Sequence, residues 1–157
     1  MNYYDQISAG YEKLHGEEQL AKARIVLENL KIKPADLLLD VGCGTASYLS
    51  IFQCRKIGID PSFELLKQAK IPVVQGKAEE LPFPDNSFDI VLSLTAIHHT
   101  DIRKALSEIK RVAKRDIVIS VLKKAKNFEE IEKEISILNV KKRIEEAQDI
   151  IWFASFK

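Results

Sequence analysis

Little in this chain would serve a metal or a disulfide. It has two cysteines, Cys43 and Cys54, and three histidines in 157 residues. The cysteines stand eleven apart with no Cys-x-x-Cys pair, so no zinc site is expected. A disulfide is not expected in a reducing compartment either, and both thiols read as small buried or half-buried residues. Long apolar runs are also missing: nothing approaches the ~20 residues of a membrane span. The opening MNYYDQISAG has neither a basic nor an apolar leader segment, so no signal peptide is expected. The expectation is a cytoplasmic protein that meets no membrane. A charge excess is absent too, with a net charge of +1. That balance hides an asymmetry, since residues 1–100 carry 10 Lys/Arg against 13 Asp/Glu and residues 101–157 carry 14 against 10. A basic C-terminal third would face phosphates, but solvated helix faces rich in Lys and Glu give the same pattern. With 46% hydrophobic and 30% charged residues, the chain reads as one ordinary globular domain, 1–157.

Helical and strand periodicities alternate from residue 18 onward. Leu20, Ala23, Leu27 and Leu30 mark an amphipathic helix that Pro34 closes, so residues 1–33 form an N-terminal helical segment. Residues 37–41 are apolar except for Asp40, as a strand covered on both faces would be. A short helix follows to about Phe52, and Lys56–Asp60 is a second strand. Pro61–Ser62 starts a helix carrying Phe63, Leu66 and Ala69. Ile71–Gln75 is a third strand and Phe88–Leu94 a fourth, separated by the proline-containing loop AEELPFPDNS. Ile102, Ala105, Leu106, Ile109, Val112 and Ala113 trace one helix face. Asp116–Leu122 is a fifth strand. Asn127 caps a further helix, with Glu130 completing a capping-box-like pair, and Phe128, Ile131, Ile135 and Leu138 form its apolar face. The remainder reads as a loosely alternating strand, a turn near Glu146–Asp149 and a strong strand Ile150–Phe156. With no helix between them, these two strands pair as an antiparallel hairpin at the sheet edge. The fold expected is α/β: a Rossmann-like, doubly wound, seven-stranded mixed sheet with a C-terminal antiparallel hairpin strand.

In such a sheet a ligand sits outside the carboxyl ends of the strands, beside the first one. The segment DVGCGTA occupies that place. Gly42 and Gly44 leave no Cβ between backbone and ligand, and a helix N-terminus behind them offers free amides. A dinucleotide needs G-x-G-x-x-G/A, yet position 47 is Ser and the small residue Ala46 comes one place early. Asp40 at the mouth of the loop would repel a pyrophosphate and attract a cation. Asp60, at the tip of the second strand, would accept both hydroxyls of a ribose. The pattern asks for a cation near Asp40 and a nucleoside near Asp60 with no phosphate between, which is the form of S-adenosylmethionine.

The ordered segments YDQISAGYEKLH, LLLDVGCGTA, GIDPS, GKAEELPFPDNSFDIVLSLTAIHH and EIKRVAK span about residues 3–115. Together they resemble the class I S-adenosylmethionine-dependent methyltransferases, in the branch that includes ubiquinone/menaquinone-type C-methyltransferases and wobble-uridine tRNA methyltransferases. The resemblance implies that Asp40, Gly42 and Gly44 hold the methionine end. It places Asp60 on the ribose, Pro61 against the adenine, and Ala78 and Glu79 at the adenine edge. Leu94 and Thr95 would lie beside the sulfonium. Tyr4 and Tyr11 would belong to an N-terminal segment closing over the cofactor, or else simply pack a helix.

Three departures stand out. Lys77 occupies a position where many relatives carry an acid for the adenine amino group. The Pro-Gly-Gly turn usual after the fifth helix is missing between Ala113 and Asp116. No insertion precedes the last two strands, where many relatives build a substrate roof, so the acceptor site should be open or finished by a partner.

The rim after the fourth strand reads SLTAIHH rather than the Asn/Asp-Pro-Pro-Tyr of amino-group methyltransferases. His98 and His99 are the candidate catalytic bases, or one caps the next helix while the other packs. SLTAIHH resembles the same segment of wobble-uridine tRNA enzymes, which act with a small zinc-binding activator subunit, and the basic stretch Lys110–Lys126 would then touch RNA phosphates. The expected acceptor is a small molecule or a tRNA. A non-catalytic or partner-activated subunit of an RNA-modification complex is the alternative.

Overall fold

The computed structural model describes residues 8–156, with side chains from residue 16. Its elements in chain order are α1 (Ser8–Asn29), β1 (Leu37–Val41), a 3-10 turn (Ser47–Ile51), β2 (Arg55–Asp60), α2 (Phe63–Leu66), β3 (Val73–Gln75) and β4 (Phe88–Leu94). A second 3-10 turn (Ile97–His99), α3 (Ile102–Val112), β5 (Ala113–Leu122), α4 (Phe128–Ile135), β6 (Asn139–Glu145) and β7 (Asp149–Ser155) complete it. The seven strands form one sheet in the order β3-β2-β1-β4-β5-β7-β6. All pairs are parallel except β5–β7 and β6–β7. The strand order reverses beside β1, which creates the crevice where ligands of such sheets bind.

Alternating residues of the central strands feed two separate cores. Leu39 and Val91 face one, with the apolar stripes of α3 and α4. Leu38, Ile90 and Leu92 face the other, with Val26 of α1 and Phe52. Strand β7 is covered on both sides in the same way, sending Ile150 and Trp152 one way and Ile151 and Phe153 the other. Each of these side chains contributes roughly 1.5–3 kcal/mol by leaving water. The edge strand β6 is instead largely exposed and carries Lys141, Lys142 and Arg143, charges that discourage edge-to-edge pairing.

Three local expectations need correction. The most buried face of α1 is Gln19, Lys22, Ala23 and Val26, rotated from the expected Leu20–Leu30 stripe, because its two polar residues find partners inside. The helix after Ser62 is one turn, with Leu65 and Leu66 buried and Phe63 56% exposed. Asn127 precedes α4 but its side chain makes no capping bond, and its φ of −101° and ψ of 24° lie outside the extended geometry a cap requires. Helix α3 runs into β5 without a turn: Ala113 both ends the helix and begins the strand, which is where the Pro-Gly-Gly segment is absent.

Between residues 110 and 126, four of the seven Lys and Arg side chains are ion-paired within the fold. Arg111 pairs with Glu108 and Asp85 and donates to the carbonyls of Leu81 and Phe83, stapling the proline loop. Arg115 holds Asp36 and Asp116, Lys114 lies near Asp89, and Lys123 meets Glu145. Among the described residues of the stretch Lys110–Lys126, only Lys110, Lys124 and Lys126 lack an ion pair.

Candidate functional site

The chain must turn sharply where β1 ends, and Gly42 (φ 82°) and Gly44 (φ 57°) provide the left-handed backbone it needs. A Cβ on Gly42 would lie 2.4 Å from the Cβ of Ala96, so glycine also lets this loop meet the rim of β4. The backbone N–H groups of Gly42 and Cys43 donate to the Ile59 carbonyl, at 2.8 and 3.1 Å. Asp60 then ties the loop to β2, its two carboxylate oxygens accepting from Gly44 N–H at 2.9 Å and Ser62 N–H at 2.8 Å. A carboxylate offers about four acceptor positions in all.

Between these loops lies a cavity of about 320 Å³. Its walls include Gly42, Asp60, Pro61, Ala78, Glu79, Leu94, Thr95 and His99, which were singled out from the sequence, together with Ile59, Leu65 and Ile97. Most of the lining is apolar with a few convergent polar groups, as a cofactor slot requires. Glu79 also anchors the next helix, accepting from the Asp101 N–H at 3.0 Å. Asp101, rather than a histidine, caps α3 by accepting from the Lys104 N–H. Lys77 lies on the cavity wall.

Asp40 and Gly44 lie outside those walls. Asp40 is fully buried beneath the loop, and one carboxylate oxygen accepts the Tyr48 hydroxyl hydrogen bond. The other, Oδ1, has no partner among the described residues. Burial raises its pKa to about 7, the Tyr48 hydroxyl works against that shift, and the nearby Asp60 charge adds to it. A buried carboxylate oxygen with nothing to accept from suits a cationic ligand group. With the glycine loop and the Asp60 carboxylate beside the cavity, these residues suit S-adenosylmethionine. The side chain of Tyr11 and all of Tyr4 lie outside the described residues.

The two histidines are not equivalent. Their rings lie 3.9 Å apart between centroids, tilted by 42°. His99 is exposed at the cavity, whereas His98 is half-buried, does not line it, and has an Nδ1 without a partner among the described residues. Burial and then the neighbouring His99 push the His98 pKa down to about 4. Burial also lowers that of His99.

One part of the site escaped the sequence reading. Thr95, at φ 55°, lies at the centre of a polar network. Its N–H donates to the carbonyl and hydroxyl of Ser120, and its hydroxyl donates to Asp149 Oδ2 at 2.6 Å. Lys22 Nζ donates to the same hydroxyl and lies 3.4 Å from Asp149. Gln19 donates to the Leu94 carbonyl at 2.8 Å. The only hint in the sequence was a glutamine and a lysine three apart beside Ala23 and Val26.

Residues 39–121 match the family described as "Methyltransferase domain". An uncharacterized protein of Methanocaldococcus jannaschii is 38% identical over 119 residues, covering 73% of this chain and 47% of that protein. An uncharacterized methyltransferase of Bacillus subtilis, YcgJ, is 35% identical over 106 residues, 59% of this chain and 42% of that one. The chain thus spans about half the length of these relatives. A chain from the complex between the Haloferax volcanii Trm112 methyltransferase activator and a methyltransferase superposes with a TM-score of 0.86. It is 17% identical and is covered over 98% of its length by 99% of this chain. A S-adenosylmethionine-dependent methyltransferase of Aquifex aeolicus superposes at 0.72 with 21% identity, over 86% of this chain and 89% of its own. The chain belongs to the methyltransferase domain family, as a class I domain whose cofactor is S-adenosylmethionine.

Proposed function

We propose that this chain is an active enzyme that moves the methyl group of S-adenosylmethionine to a small-molecule acceptor. The observation carrying this reading is the cavity at the carboxyl ends of the strands, whose wall includes Gly42, Asp60, Pro61, Ala78, Glu79, Leu94 and Thr95. When bound, the cofactor supplies a methyl group on a sulfonium, already an excellent leaving group. The protein's work is then orientation and exclusion of water. In this reading the Asp60 carboxylate accepts from the ribose hydroxyls, Pro61 and Ala78 flank the adenine, and Asp40 balances the cationic methionine end. His99, at the cavity rim, takes a proton where the acceptor must lose one.

A small acceptor is favoured over an RNA by the distribution of charge. Most basic side chains between residues 110 and 126 are held by acids of the fold. A second cavity, of about 290 Å³, is lined by Glu17, Glu18 and Glu146 beside Lys22 and Asp149, a setting that repels a phosphate chain.

A second reading rests on the near full-length likeness to the chain from the Trm112 complex. A small activator subunit would complete the acceptor site. In that case the chain alone would bind cofactor and turn over little.

The test is transfer from methyl-labelled S-adenosylmethionine into extract of the source organism, with fractions treated beforehand by ribonuclease, protease or neither. Label in the small-molecule fraction that survives both treatments supports the proposal. Label lost to ribonuclease overturns the acceptor class. Transfer that appears only after adding a purified partner subunit supports the second reading.

A further inference from the structure

The Lys22–Asp149 pair is an unusual place for charge. Each side chain is 2% exposed. Removing two charges from water is costly, and their attraction offsets that cost only when the geometry and further hydrogen bonds are good. The 3.4 Å separation is not an especially close contact. The better contacts of both residues run to a third group, the Thr95 hydroxyl, which accepts from Lys22 and donates to Asp149 at 2.6 Å.

Thr95 is where an unfavourable backbone is held. A φ of 55° is rare for a β-branched residue and persists only where the surroundings over-determine it. Here four elements do so. Lys22 comes from α1, Thr95 follows β4, Ser120 belongs to β5, and Asp149 begins β7. The hydroxyl that the charges grip belongs to a residue on the wall of the cofactor cavity.

We propose that the Lys22–Asp149 pair is a positioning device for methyl transfer. It clamps the Thr95 hydroxyl, keeps that residue in its left-handed conformation against the cavity, and fastens α1 to the tip of β4. Lys22 and Asp149 act through Thr95 and are positioning residues. The inference rests on the cavity being the S-adenosylmethionine site.

The test is calorimetric titration of S-adenosylhomocysteine into the full chain, with thermal melting followed in parallel. Replacing a buried ion pair by apolar residues of similar volume commonly leaves a fold intact, so the Lys22→Met/Asp149→Leu double variant separates stability from positioning. The expected result is a melting transition like that of the parent and a Kd at least tenfold weaker. Adding Thr95→Gly to the double variant should recover most of that loss, because glycine adopts positive φ without strain. A purely structural role would give no such rescue. Parent-like affinity in the double variant overturns the proposal, as does a loss of binding that follows the unfolded fraction, or one that Thr95→Gly does not relieve. If the parent chain itself does not bind S-adenosylhomocysteine, the cofactor reading fails first and the inference falls with it.

Discussion

The backbone N–H of Gly44 donates to the Asp60 carboxylate at 2.9 Å, joining the glycine loop after β1 to the acid that ends β2. The other oxygen of the same carboxylate holds the Ser62 N–H at 2.8 Å, so one side chain organises both loops at the cavity. Asp60→Ala leaves two buried donors unsatisfied, at about 1–3 kcal/mol each, and removes the ribose acceptor. The expected outcome is a Kd for S-adenosylhomocysteine weakened by about two orders of magnitude, with a lower melting temperature. Asp60→Asn, which keeps one accepting oxygen, should fall between. Calorimetry on the three proteins decides it, and equal affinities would remove Asp60 from the site.

Asp40 is expected to make cofactor binding depend on pH. Its carboxyl, raised by burial to about 7, gives the free protein stability that is fully present below the unfolded value near 4 and lost as pH rises through about 7. A cationic ligand group nearby favours the ionised form, so binding at pH 6 should expel a proton. Affinity for S-adenosylhomocysteine is expected to rise between pH 6 and pH 8 and then level. Calorimetry in buffers of different ionisation heat measures the proton, and Asp40→Asn should flatten the curve.

Gly42→Ala adds a Cβ 2.4 Å from that of Ala96 at a residue with φ 82°. Strain of this kind costs about 1–3 kcal/mol, and the loop must shift away from β4. Melting should fall and cofactor-product binding should be largely lost. Ala96→Gly in the same background removes the clash but not the backbone strain, so recovery should be partial.

His98 should show its burial directly. A heteronuclear titration should find its imidazole midpoint near 4, with no change between pH 6 and pH 8. If the acceptor surrenders a proton in the rate-limiting step, His99→Ala should lower kcat by about 10²-fold or more and alter the pH profile. The opposite assignment, in which only the His98 substitution alters that profile, would move the base off the cavity rim.

What could be seen in the sequence was whatever period and local chemistry encode. Strand β4 follows from its apolar residues Phe88, Ile90, Val91, Leu92 and Leu94, and the buried stripe of α3 from its 3-4 spacing. The loop between Asp40 and Ala46 is legible because glycines and an acid at a strand end are a local signal. Polar groups satisfied at long range were not visible. Lys22 and Asp149 stand 127 residues apart, and neither looks unusual until the sheet brings α1 beside the β6–β7 turn. The rotated face of α1 has the same origin, since burying Gln19 and Lys22 is favourable only once Leu94, Thr95 and Asp149 are in place. Helix α2 is a single turn because the chain leaves Phe63 in solvent and buries only Leu65 and Leu66.

The most direct measurement is binding of S-adenosylhomocysteine and of NAD to the purified chain by calorimetry, each repeated on Asp60→Ala. The expected result is saturable heat with S-adenosylhomocysteine, strongly reduced in the variant, and none with NAD. Heat with NAD, or an S-adenosylhomocysteine affinity indifferent to Asp60, would contradict the assignment of this cavity to the methyl donor.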